Sequence, residues 1–445
     1  MTRPPQVHVE RHQPSDVHLV HPEWSRDATI YQINTRHFTP EGTFTAAAGH
    51  LERLAGLGVS ILWLMPVHEI GEVNRKGMLG SPYAVRDYLS VNPDLGTVAD
   101  LRAFVDQAHA LGMHVILDWV ANHTAWDNVL VEEHPEWYAR DWKGDLTPTP
   151  WWGWDDIIDL DYAVPELRDY MVGAMEHWVR EVDIDGYRCD VAGLVPTTFW
   201  ERVRTALEAI KPVFLLAEWE SRELHDHAFD ATYGWSWNNV MHAVASGDAG
   251  VEVLRTYYAW NAKAYPHDAM RMLFVTNHDQ NAWDGSEIER FGEALEVAIV
   301  LSVLSEGIPL VFNGQEAGND RSLPLFEDDQ IEWREHPLGD LYRRLIEAKK
   351  ANSALWNGSW GAPMVEVYTS KPSKVLAFAR HRGDDAVFMV ANLSPRRRTI
   401  TLGDGPYAGA WKDLATGEKV ELEVGSQVEL PGWGYQALLR GGFPA

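Results

Sequence analysis

The sequence predicts an α/β chain built on a (β/α)8 (TIM) barrel, with a long insertion after the third strand and an antiparallel β domain at the C-terminal end. Three observations carry that reading. From Ala28 onward, short apolar runs alternate with longer helix-period segments, as buried parallel strands and their covering helices do. Eight such pairs fill about 320 residues, which is the inventory of a closed barrel carrying insertions. Three of the runs end in a carboxylate, Asp190, Glu218 and Asp279, and strand carboxyl ends face the ligand in such folds.

Residues 1–24 read as an N-terminal arm, packed on the barrel or partly disordered. The barrel takes 25–123 and 163–351, the insertion 124–162, and the C-terminal domain 352–445. Predicted strands are Ala28–Ile33, Val59–Met65, His114–Trp119, Asp185–Asp190, Val213–Glu218, Phe229–Tyr233, Arg271–Val275 and Ile308–Phe312. Predicted helices include Ala46–Leu57, Val98–Leu111, Val164–Val182, Phe199–Ile210, Val251–Ala264, Phe291–Leu304 and Leu338–Lys350. A doubly wound open sheet competes, but no Gly-rich dinucleotide turn follows any strand. The insertion is rich in Trp, Pro and Asp and poor in periodicity, and ordered loops of that length are usually functional. After Asn352, alternating runs such as VLAFARH and AVFMVANL mark antiparallel strands.

The chain has 445 residues, 45% hydrophobic and 23% charged, as an ordinary globular protein does. Its formal charge of −27 repels nucleic acid and anionic membranes and favours a neutral substrate; solubility alone explains most of it. Cys189 is the only cysteine, which excludes an intrachain disulfide, and its strand setting reads as packing. No apolar stretch is long enough to span a membrane, and the first twenty residues lack a secretory signal's apolar core. The expectation is a cytoplasmic protein, or a secreted one if a leader has been removed.

Acids gathered at one rim suit glycoside hydrolysis: one attacks, one shuttles a proton, and one steadies an oxocarbenium-like transition state. Asp190 lies two residues after Arg188, on the same strand face, so the arginine is expected to hold the aspartate ionised and lower its pKa. Glu218 closes an apolar run, where burial raises a carboxyl pKa as a general acid requires. Asp279 follows Asn277 and His278, a pair suited to sugar hydroxyls. Each has a plainer reading alone: a rim salt bridge, a surface glutamate, a helix N-cap. Their co-occurrence at three strand ends favours function. The third strand ends in DWVANH, where Asp118 and Asn122 order the loop and His123 contacts substrate. Tyr83 and Trp151, Trp152 and Trp154 are placed to stack on sugar rings, and 21 tryptophans exceed what a core demands. No P-loop, nucleophile elbow or HExxH helix is present.

Four motifs in order, DWVANH at 118–123, DGYRCD at 185–190, AE at 217–218 and TNHD at 276–279, resemble the α-amylase family of retaining glycoside hydrolases. ATIYQINTRHF, IIDLD at 157–161 and FNGQEAG at 312–318 are also similar, and the resemblance runs from Trp24 to Ala445. It implies a short insertion domain after the third strand and a C-terminal β-sandwich. It implies Asp190 as nucleophile, Glu218 as acid then base, and Asp279 as transition-state stabiliser, with Tyr83, His123, Arg188 and His278 around the sugar being cleaved. The two working carboxyls then lie about 5–5.5 Å apart. Gly193 and Leu194 stand where many starch-degrading members carry Lys-His, which weakens the case for long polymer acceptors. No cofactor is required. Asn122 and Asp161 match a family calcium site, and a hydrogen-bonding role fits Asn122 equally. The expected substrate is an α-1,4-linked maltooligosaccharide or α-glucan. Transglycosylation, α-1,6 cleavage and a non-catalytic sugar binder are the alternatives, and the motifs leave the oligomeric state open.

Overall fold

The apolar runs become eight parallel strands whose alternate side chains face two different cores. The computed structural model describes residues 17–444. The barrel strands are β1 (Ile30–Ile33), β2 (Ile61–Leu64), β3 (His114–Trp119), β4 (Gly186–Cys189), β5 (Phe214–Ala217), β6 (Ala231–Tyr233), β7 (Met270–Leu273) and β8 (Ile308–Phe312). Each pairs with its neighbours in sequence, and β8 closes on β1 with Leu310 opposite Ile30, which rules out the open sheet. Ile30, Ile61, Ile116, Phe214, Met272 and Leu310 fill the lumen, while the alternating Tyr31, Leu62, Leu117, Leu215 and Val311 pack beneath the helices.

β4 opens with a glycine for a steric reason. Gly186 has φ +145°, and a Cβ there would lie 1.9 Å from the carbonyl oxygen of Phe214. Helix starts also follow the sequence: Thr97 and Asp100 form a capping box ahead of Val98–Ala110, and Pro165 and Pro337 occupy first-turn positions. The expected helix at Ala46–Leu57 is two, Phe44–Ala48 and Leu51–Leu57, parted at Gly49 and His50. Helices at Trp235–Ser246, His278–Asp284 and Glu287–Phe291 were not expected.

Between β3 and the next long helix, His123–Ala125 pairs antiparallel with Ile157–Asp159, so the insertion leaves and re-enters the rim as a two-stranded stem. After the barrel, strands from Val365 to Arg440 form a six-stranded antiparallel sheet that packs Phe388, Val390 and Leu438 against Ile400 and Val428 of a two-stranded partner. Buried Arg380 ties this domain to the barrel by donating to the carbonyls of Leu304 and Ser305. Of the arm, residues 1–16 lie outside the described residues. His21 packs under the barrel against Asp230, at 2.7 Å.

Candidate active site

Strand order places the predicted site residues on consecutive barrel strands: Asp118 lies near the end of β3, Arg188 near the end of β4 with Asp190 just after it, and Glu218 follows β5. Asp279 sits in the first turn of the helix after β7. The cap of that helix is Asn277, whose side chain accepts from Gln280 N–H at 3.0 Å, so Asp279 is free to face the cavity. Tyr83, His123, Asp190, Glu218, His278 and Asp279 all line one cavity of about 300 Å³ at this mouth.

One guanidinium organises the acids. Arg188, fully buried, donates to Asp118 Oδ1 at 2.8 Å and Asp190 Oδ1 at 2.9 Å, and its other terminal nitrogen lies 2.9 Å from Glu218 Oε2. Its Nε donates to the Tyr233 hydroxyl at 3.1 Å, and Trp63, Tyr83 and Tyr233 surround its plane. Asp118 Oδ2 accepts from Trp63 Nε1 and the Tyr83 hydroxyl, at 3.1 and 3.0 Å. Asp118 therefore anchors Arg188 and Tyr83 from behind.

The histidines are held as neutral rings. Burial pushes the His123 pKa down to about 3 and that of His278 to about 4. His278 Nδ1 accepts from Gln32 Nε2 at 2.7 Å, which leaves Nε2 protonated toward Tyr83 Oη (2.7 Å) and Asp279 (3.3 Å). The Tyr83 and His278 rings stack with centroids 5.4 Å apart.

The sequence predicts a lowered pKa for Asp190; the structure reverses it. Burial outweighs Arg188 and, with Asp118 and Asp279 nearby, pushes Asp190 up to about 7. Burial pushes Glu218 further, to about 8, despite Arg188 and the Val191 N–H that donates to it at 2.8 Å. Three acids sharing one arginine, with Asp279 nearby, retain a proton, and Glu218, pushed up furthest, is the one placed to hold it. That N–H is aimed by strained backbone: Val191 has φ +36°, a left-handed conformation rare for a β-branched residue.

The tryptophans of the insertion part company. Trp154 lines the cavity beside His123, Trp152 leans on it with ring centroids 4.8 Å apart, and Trp151 points fully into solvent. Asn122 Nδ2 donates to Thr149 and Asp159, at 3.1 and 3.2 Å, while Asp161 caps Ala163 N–H at 2.9 Å. The Asn122 hydrogen bonds tie the end of the third strand's motif to the insertion. Sequence reasoning missed Lys76, Asp156, Trp283, Leu325 and Phe326, which help complete the walls from three loops and the helix His278–Asp284, without strand-end signals. Only Trp283, four residues beyond Asp279 in HDQNAWD, had a signal: one helical turn on, it lies on the same face.

The chain matches the family model of the alpha-amylase catalytic domain over residues 11–336. Alpha-amylase MalA of Haloarcula japonica is 28% identical over 418 residues, which cover 89% of this chain; the chain spans 59% of that protein's length. A cyclomaltodextrinase of a Bacillus species is 25% identical, covering 87% of this chain and 76% of that one. The noncanonic maltogenic alpha-amylase AmyB from Thermotoga neapolitana shares the fold with a TM-score of 0.85 at 31% identity, covering 94% of this chain and 99% of the other.

Proposed function

The chain belongs to the α-amylase family of glycoside hydrolases, and from that premise we propose that it hydrolyses α-1,4 bonds of maltooligosaccharides or α-glucans with retention of configuration. The observation that carries the reading is the guanidinium of Arg188 touching both Asp190 and Glu218 at the cavity floor. Two carboxyls drawn to one guanidinium fit the short separation of a double-displacement mechanism, not the wider gap that admits a water. Glu218, protonated, donates to the departing glycosidic oxygen. Asp190 attacks the anomeric carbon and forms a glycosyl-enzyme; Glu218 then deprotonates the water that releases the sugar. Asp279 offsets positive charge on the ring, while Tyr83 and the neutral histidines hold its face and hydroxyls.

Anomer-resolved NMR of early products tests this: the α-anomer is expected first, and a β-anomer product refutes retention. A second reading, transfer to sugar acceptors, has one observation in its favour. The Trp219 indole lies flat over Gly193 next to Glu218; a Cβ on Gly193 would come within 2.2 Å of it. An aromatic face on the leaving-group side suits a second sugar. Longer oligosaccharides formed when maltose is added would establish transfer.

A further inference from the structure

We propose, resting on the glycosidase reading, that the donor side of the cavity is blind: the enzyme works from non-reducing chain ends and releases mono- or disaccharides instead of cutting internally. The barrel order sets the polarity of a bound chain. The acid, Glu218 after β5, must stand on the leaving-group side. Tyr83 after β2 and His278 after β7 bracket the sugar being cleaved. Sugars on its non-reducing side therefore run away from β4 and β5, toward the loops after β2 and β8.

That route is walled off. The segment 71–82, between β2 and Tyr83, is stitched to the insertion on one flank. Glu72 N–H donates to Asp127 at 2.9 Å, and Lys76 Nζ lies 2.9 Å from Asp155 and 3.0 Å from buried Asp156. On the other flank it joins the loop after β8: Leu79 N–H donates to Phe326 O at 3.0 Å and Met78 N–H to the Glu327 carboxylate at 3.1 Å. Arg36 clamps the junction by donating to the carbonyls of Gly80 and Leu325, at 3.2 and 3.1 Å. The seam is tight, since a Cβ on Gly77, at φ +63°, would reach 2.8 Å from Phe326 O. Lys76, Asp156, Leu325 and Phe326 thus form a continuous wall of the cavity. Its volume of about 300 Å³ is at the small end for ligand sites. The ion pair on the wall presents a donor and an acceptor to the terminal 4- and 6-hydroxyls of a seated chain end.

The test compares maltoheptaose with a derivative whose terminal 4- and 6-hydroxyls are bridged by an ethylidene group, with products followed by chromatography. Free maltoheptaose should yield glucose or maltose from the first turnovers, and the blocked chain should be cut at least about tenfold more slowly. Equal rates, with maltotriose and maltotetraose as the paired early products of an internal cut, would overturn the blind donor side and leave the glycosidase reading standing. Inertness toward both would remove the glycosidase reading and this inference with it. Lys76→Ala, which unpins the wall from the insertion, should narrow the gap between the two substrates; an unchanged gap would mean the wall is not what discriminates.

Discussion

The two ends of the barrel use the same residue types for opposite purposes. β4 makes the contrast within six residues, with Asp185 before its start and Asp190 after its end. At the floor Asp185 is matched by His109 at 2.7 Å, Lys211 at 2.9 Å and the Val115 N–H at 2.8 Å. Asp230, two strands further round, is matched by Arg204, by His21 and by the Leu215 N–H. These partners overcome burial, lowering the Asp230 pKa and holding Asp185 well below the usual carboxylate range. At the mouth one arginine serves Asp118, Asp190 and Glu218, and burial wins. Charge stoichiometry, more than residue type, separates a structural acid from a reactive one.

Mutation of one acid at each end breaks the comparison most sharply. Asp190→Asn should lower kcat by at least about 10⁴-fold, the scale seen when a nucleophile is removed. Its melting temperature should hold or rise, because the mouth loses an unneutralised charge. Asp230→Asn should do the reverse, costing about 3 kcal/mol by denaturant titration and leaving kcat of the folded fraction near wild type. If both variants lose stability alike, the two ends do not differ in the way described.

The next effect is on pH. Asp190 must be ionised and Glu218 protonated, so kcat/KM should fall below about 7 and above about 8, as a property of the coupled pair. Stability separates the ends again. Glu218, raised from 4.5 to about 8, binds a proton in the folded state that the unfolded chain has released, so it erodes stability as pH climbs through that window. His21, raised from 6.5 to about 9, contributes fully below 6.5, and its contribution is lost as pH climbs through 9. Urea unfolding at about pH 6 and about pH 9 should show a decline that Glu218→Gln and His21→Gln each make shallower. The smallest effect lies within the insertion: Trp154→Ala should raise KM about tenfold, whereas Trp151→Ala should change stability by less than about 0.5 kcal/mol and leave kinetics alone.

Much of this was legible in the chain itself, because closed barrels concentrate function at strand ends and strands announce themselves by short apolar runs. All eight strands formed, with ends shifted by a few residues. The helix Trp235–Ser246 escaped notice because WSWNNVMHAVAS has weak intrinsic helicity; packing of Trp237, Asn238, Met241 and Val244 secures it. The Asp190 ionisation was misread for a related reason. The i, i+2 neighbour Arg188 is visible in sequence, but its division among Asp118, Asp190 and Glu218 exists only once three strands are side by side. The wall built by Lys76 and Phe326 was equally out of reach, since 250 residues part its two halves.

Cys189, the only thiol in the chain, is sealed behind the barrel strands, and burial pushes its pKa well up. A maleimide dye would therefore ignore the native protein. Met78→Cys would create a single addressable handle on the exposed edge of the loop, and fluorescence quenching from that one position could report whether the barrier stirs when sugar arrives.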